Sequence, residues 1–394
     1  MQTVTTDLII LGGGIAGLWL LNRARQQGFD AILLESHSLG GGQSVRSQGI
    51  IHGGTKYALN GVLSQASNSI ANMPSRWRDC LEGHGELDLS QAQVLSDAHY
   101  MWSMASLGSK MTTFLASKAL KGRVGQVPAE QRPPAFQHPD FRGSLYKLNE
   151  IVLDVPSVIE ALARPNIHSI YKVAPSEIQL DMQHGEIQAV QLKSMRIEAQ
   201  RYITTAGEGS EELLQQLEVQ QPQMQRRPLH MVMVRHRSDL PTFAHCISSG
   251  SKPVVTITTH PTLNGDQVWY LGGDLAETGV ERSAEEQIQA AQQLLTKLLP
   301  WVILKDACWG SFHINRAEPK QSSLTRPDSA FAQSVGNCII SWPTKLALAP
   351  DLADQVLDML KAQRITPRFT ADTTVLGALP KPGVAEPVWE SLLC

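Results

Sequence analysis

The sequence predicts an α/β protein in which a parallel-sheet unit is interrupted by an inserted α+β unit with a mostly antiparallel sheet. Three observations predict it. A strand–helix–strand pattern fills the first 35 residues. Continuously apolar segments of buried-strand character return much later, near 202–206 and 338–341. Between them lie short strand-like runs separated by turn residues. A discontinuous parallel sheet joins the distant segments without a very long unstructured loop. The boundaries that follow are 1–83, 150–214 and 330–365 for the first domain and 84–149 with 215–329 for the second. A proline-bearing tail, 366–394, is left to wrap the surface.

Taken in order, residues 5–11 read as a buried strand, 15–27 as a helix ending before Gly28, and 30–35 as a second buried strand. Such a crossover implies a parallel pair. Residues 36–57 are glycine-rich loop, and 60–83 read as a long surface helix bearing Arg76 and Trp77. Strand-like pieces at 92–95 and 99–104 precede a helical piece at 109–120 and a proline loop at 128–139. Residues 154–163 form a capped helix. Short strands follow at 167–171, 177–180, 187–193 and 202–206, then at 228–235, 253–259 and 267–272. An amphipathic helix spans 285–299, and a helix at 350–360 follows the strand at 338–341.

Composition narrows the function. With 394 residues, 42% hydrophobic and 18% charged, the chain is globular and long enough for about two domains. Its net charge of −3, without any dense Lys/Arg run, gives no reason to expect nucleic acid or an anionic membrane surface as partner. Neither a leader nor a transmembrane segment is legible, so the cytoplasm is the default location. The five cysteines have no ligand spacing and are expected to be reduced and mostly buried.

The first motif is Gly12-Gly13-Gly14-Ile15-Ala16-Gly17, a G-x-G-x-x-G between strand and helix. Gly12 permits the tight turn, Gly14 lets backbone approach a diphosphate, and Gly17 lets helix and strand pack closely. The helix start offers unpaired N–H groups and positive dipole to phosphates. Glu35 closes the second strand, placed to accept hydrogen bonds from an adenosine ribose. An acid there disfavours a 2′-phosphate. This is a Rossmann-type dinucleotide site.

Residues 40–57 (GGGQSVRSQGIIHGGTKY) carry a resemblance to the D-amino-acid oxidase-like flavoprotein superfamily, which includes glycine and sarcosine oxidases and FAD-dependent glycerol-3-phosphate dehydrogenases. The closest wording is the dehydrogenases' S-x-x-S-x-x-x-I-H-G-G-x-x-Y, running here from Ser44 and Ser47 through His52 to Tyr57. Two more pieces agree: Thr204-Thr205-Ala206-Gly207, and residues 339–350 (IISWPTKLALAP). The resemblance implies FAD as cofactor in a Rossmann-type FAD-binding domain. It implies contacts from Ser36, Gln43, Ser44, Ser47 and Gly49 to phosphates and ribityl chain. Val173 is implied beside the adenine and Gly207 near the diphosphate. Lys345 and Leu346, at a helix N-terminus, are implied at the flavin N1–O2 edge.

On the substrate side the resemblance implies Arg316 as an anion clamp, with a structural ion pair, for instance to Glu318, as its alternative. Lys56 and Tyr57 take the place of an Arg-Tyr pair. His52 stands beside the flavin, with covalent attachment as the rarer variant. His260 is a substrate-side acid/base or a hydrogen-bonded strand-end residue. Arg326 matches a second arginine of the glycerol phosphate enzymes. Lys252 in place of histidine, Lys56 in place of arginine and Trp342-Pro343 in place of a glycine pair all depart from those enzymes. The function implied is removal of a hydride from the C–H beside an amine or hydroxyl of a small anionic substrate, with the electron acceptor open. Alternatives are a glycerol-3-phosphate-like dehydrogenase feeding a quinone, and an electron-relay subunit of a complex.

Overall fold

The computed structural model describes residues 2–54, 70–103, 124–248, 252–320 and 329–393. Expectations on 60–69, on 109–120 and on Lys56, Tyr57 and Arg326 lie outside the described residues.

The strand Gln2–Leu11 is the axis of the first sheet. It pairs in parallel with Ala31–Glu35 on one side and Met195–Thr204 on the other. Ile170–Lys172 extends the sheet beyond Ala31–Glu35, and Cys338–Trp342 beyond Met195–Thr204, both in parallel. The three separated apolar segments of the sequence are therefore neighbours in one sheet. Their uninterrupted hydrophobicity follows from burial on both faces: Leu8 and Ile10 enter one core, Ile9 and Leu11 the other. The first core is closed by the helices Ile15–Gln26, Val155–Ala163 and Ala349–Ala362.

The second sheet runs Cys308–Pro319, Met224–Arg235, Gln267–Gly272, Pro253–Pro261, Ala244–Ile247, His99–Ser103, Ser144–Leu148, Val124–Gln126. All its pairings are antiparallel except Ala244–Ile247 with His99–Ser103. The helix Ala284–Leu298, opened by a Ser283/Glu286 capping box, covers one face.

Three expectations need correction. The described part of the helix expected at 60–83 is Met73–Leu81, and it is no surface helix, because Trp77 and Cys80 are fully buried against the first core. Cys308 is disulfide-bonded, while Cys80, Cys246 and Cys338 are free and buried. The tail does more than wrap. Backbone N–H groups of Arg368 and Phe369 donate to Asp7 and that of Ala371 to Asp30, after which Trp389 is buried against the second sheet's Tyr270 and His260. No described helix is long and apolar enough to cross a membrane.

Candidate active site

The turn after the first strand is built for close backbone approach. Gly12 has φ +113°, and a Cβ there would lie 2.7 Å from the Ala206 Cα. At Gly17 a Cβ would stand 2.0 Å from the Gly12 carbonyl oxygen. Both glycines serve packing of the turn on Thr205-Ala206, whose Thr205 hydroxyl donates to Gly12 O at 2.8 Å. Gly14 differs, since a Cβ there meets only the Ser44 hydroxyl at 3.3 Å. That position opens into a cleft.

The cleft has a volume of about 640 Å³. Gly12, Gly14, Ile15 and Ala16 line it, together with Glu35 and Ser36 and with Gln43, Ser44 and Gly207. Glu35 is held for work on the cleft side: one carboxylate oxygen accepts the Gly13 N–H at 2.6 Å, the other the His37 N–H at 2.8 Å. The first helix begins with no acid in its first turn, and Ser44 Oγ accepts the Ile15 N–H at 3.0 Å. A helix start on the cleft, a permissive glycine and a pre-oriented carboxylate fit a dinucleotide diphosphate with its ribose.

Other expected cofactor residues stand behind the wall. Val173 is buried and donates its N–H to Glu35 O, and the nearby residues that line the cleft are Pro175 and Ile178. Gly49 has φ +70° and a Cβ there would lie 2.2 Å from Leu153 O, a packing role. Ser47 turns the loop, donating its N–H to Ser44 O. Lys345 and Leu346 lie just past Trp342 and Pro343, which do line the cleft, and lead through a short 3₁₀ turn into Ala349–Ala362.

The cleft is also lined by Arg46, Ile314 and Ala317, where the first unit meets the second sheet. The seam is stitched: Tyr270 Oη donates to Arg46 O at 2.7 Å, and Gln48 Nε2 donates to Tyr270 O at 2.8 Å. Burial pushes the Tyr270 phenol far above its ordinary value. Arg46, Gln48 and Tyr270 were missed from the sequence, although a lone arginine within a glycine–serine loop was a signal for the first.

Arg316 forms its ion pair with Glu277 at 3.6 Å, not with Glu318, which Arg227 takes at 3.2 Å. Lys252 shares Glu277 at 2.6 Å. His260 does not line the cleft. Trp389 lies over its ring at 4.7 Å, Nε2 meets Thr258 Oγ1 at 2.8 Å, and burial pushes its pKa down to about 3. His52 Nδ1 stands 3.1 Å from the buried carboxylate of Glu150. Glu150 and His245, close by, had no sequence signal, being far apart in the chain.

A parallel-sheet dinucleotide cradle abutting an antiparallel sheet defines a flavoprotein oxidoreductase. Residues 7–319 match the model of the FAD dependent oxidoreductase family, and the chain belongs to that family. It is 50% identical over 390 residues to a probable FAD-dependent oxidoreductase of Pseudomonas aeruginosa, covering 99% of this chain and 98% of that one. The crystal structure of an FAD-dependent oxidoreductase from the same organism superposes with a TM-score of 0.86 at 46% identity over 99% of each chain. Glycine oxidase from Geobacillus kaustophilus shares the fold at 13% identity, with a TM-score of 0.67 over 94% of this chain and 98% of its own. The protein is thus an FAD-dependent oxidoreductase with FAD as its cofactor.

Proposed function

We propose that the protein removes a hydride from the C–H bond beside an amine or hydroxyl of a small anionic substrate. The observation that carries this reading is the lining of one cleft by Glu35, the start of the first helix and Arg46 together with Ile314 and Ala317 of the second sheet. Bound there, FAD supplies the two-electron acceptor. The chain's residues bind and orient. In this reading Gly12, Gly14 and the N–H groups of the first helix hold the diphosphate, Glu35 the ribose, and Gln43 and Ser44 the linking chain. Lys345, just past Pro343 of the cleft wall, is the cation this reading sets toward the flavin N1–O2 edge.

Arg46 is the cation we assign to the substrate's carboxylate or phosphate, because it lines the cleft beside the second sheet. Arg316 contributes from the second sheet and shares its charge with Glu277. The Tyr270–Arg46 and Gln48–Tyr270 hydrogen bonds fix the loop against that sheet.

The test is anaerobic mixing with small amino, amine and hydroxy acids while absorbance is followed at about 450 nm, in the band of oxidised flavin. Bleaching by one of them supports the reading. Bleaching only by a reduced protein partner would replace it with electron relay.

A further inference from the structure

We propose that Gln48 is a positioning residue for anion binding: its amide plugs a socket in the second sheet that Gly272 leaves open, and through this plug it sets where Arg46 stands. The role rests on the reading of Arg46 as the cation for the substrate's anion, and it adds the residues through which the second sheet acts on that cation. Gln48 belongs to the loop that carries Arg46, yet its side chain ends against two strands of the second sheet, Pro253–Pro261 and Gln267–Gly272.

The partners dictate how the amide is turned. Gln48 Nε2 stands 2.8 Å from Tyr270 O, 3.2 Å from Thr256 O and 3.3 Å from Thr258 Oγ1. Two of these are carbonyl oxygens, which only accept, so the nitrogen of the amide and not its oxygen must face them. All three partner residues are buried, where a hydrogen bond is stronger than in water. Thr258 Oγ1 is itself held by His260 Nε2 at 2.8 Å.

Gly272 is an independent sign of the same fit. It closes the strand Gln267–Gly272, pairs with Thr256 and has no left-handed φ, so its backbone does not require glycine. A Cβ there would lie 2.5 Å from Gln48 Oε1 and 3.2 Å from Gln48 Cδ. The amide, pinned on its nitrogen side, cannot swing away without giving up its contacts to the sheet. Gly272 is therefore room kept for Gln48. The same loop is tied to the first unit through Gly49 O, which accepts the Leu153 N–H at 2.9 Å, and to the second through Tyr270 Oη on Arg46 O. Releasing Gln48 lets Arg46 shift relative to Ile314 and Ala317, the residues of the second sheet that line the cleft with it.

The experiment titrates sodium acetate and, separately, inorganic phosphate into the flavin-loaded protein at constant ionic strength, with binding read from the flavin band at about 450 nm. Arg46→Ala should weaken whichever anion binds by at least about 10-fold. Gln48→Ala and Gly272→Ala should each weaken it about 10-fold with flavin content unchanged. A purely structural role would lower the melting temperature and leave anion affinity alone. The double variant should bind no worse than Gln48→Ala, because the methyl group at 272 then enters space already vacated. If Gln48→Ala does not fold, Gly272→Ala carries the test. Undiminished binding in the folded single variants, or losses that multiply in the double variant, overturns the positioning role and leaves Arg46 in place. Wild-type protein that binds neither anion, or Arg46→Ala that binds as tightly as wild type, removes Arg46 as the anion's partner and the role of Gln48 with it.

Discussion

At the scale of single residues, the glycines of the first turn separate into two kinds. Gly12 and Gly17 are forced by backbone packing, so side chains there destabilise the fold itself. Gly14 faces the cleft, so Gly14→Val should fold and yet purify without flavin, read as the ratio of absorbance at about 450 nm to that of protein. A variant that retains full colour would remove the diphosphate from this position. Arg46→Ala should raise KM for an anionic substrate by about 10- to 100-fold, equivalent to roughly 1.5–3 kcal/mol for a charge-assisted hydrogen bond. Arg316→Ala should cost less, because Glu277 already shares that charge. An Arg316 effect exceeding that of Arg46 would reverse the assignment.

His260 gives a pH-dependent prediction. Its folded pKa of about 3 lies below the ordinary histidine value, so the unfolded chain takes up the proton first as pH falls. The stabilisation is fully present above about pH 6.5 and is lost progressively down to about pH 3. At pH 5 the loss from this residue comes to roughly 2 kcal/mol. Denaturant midpoints compared at pH 7 and pH 5 should converge when His260 is replaced by Gln. An unchanged gap between the two pH values would mean that other groups carry the acid sensitivity.

At the scale of elements, strands buried on both faces announce themselves through continuous apolar runs, which is why the parallel sheet was legible from Gln2–Leu11, Ala31–Glu35 and Cys338–Trp342. Capping was readable in part. Asp154 accepts the Ser157 N–H at 3.0 Å at the start of Val155–Ala163, the helix read as capped, while Ser283, which accepts the Glu286 N–H, was not read as a cap. Ser283→Ala should therefore lower unfolding stability by about 1 kcal/mol, measured by chemical denaturation. What stayed illegible depends on partners distant in the chain. The helix Met73–Leu81 has an apolar face that a sequence window cannot assign to a core, and Trp77 found one beneath Ala347 O. Glu150 and His245 acquire meaning only when two strands from different units meet.

At the scale of the whole molecule, the two sheets draw on interleaved parts of the chain, and the tail crosses both. Asp7 and Asp30 grip its first half, and Trp389 anchors its second half beside Tyr270. Trp389→Ala should destabilise the protein by about 3–5 kcal/mol, the range for emptying a buried aromatic site. Because Tyr270 also holds the Arg46 loop, the same change should weaken substrate binding, while leaving the adenine end of the cleft and flavin content unaltered. Loss of flavin from an otherwise folded variant would show that the tail supports the entire cleft.

The strand Cys338–Trp342 completes the parallel sheet, and Trp342 forms part of the cleft wall. On a ribosome, a growing polypeptide therefore exposes Gly12–Gly17 and Glu35 hundreds of residues before the wall opposite them exists. Loading must wait until that strand has been made, and a chain cut ahead of Cys338 should lack bound flavin, read as the loss of absorbance at about 450 nm.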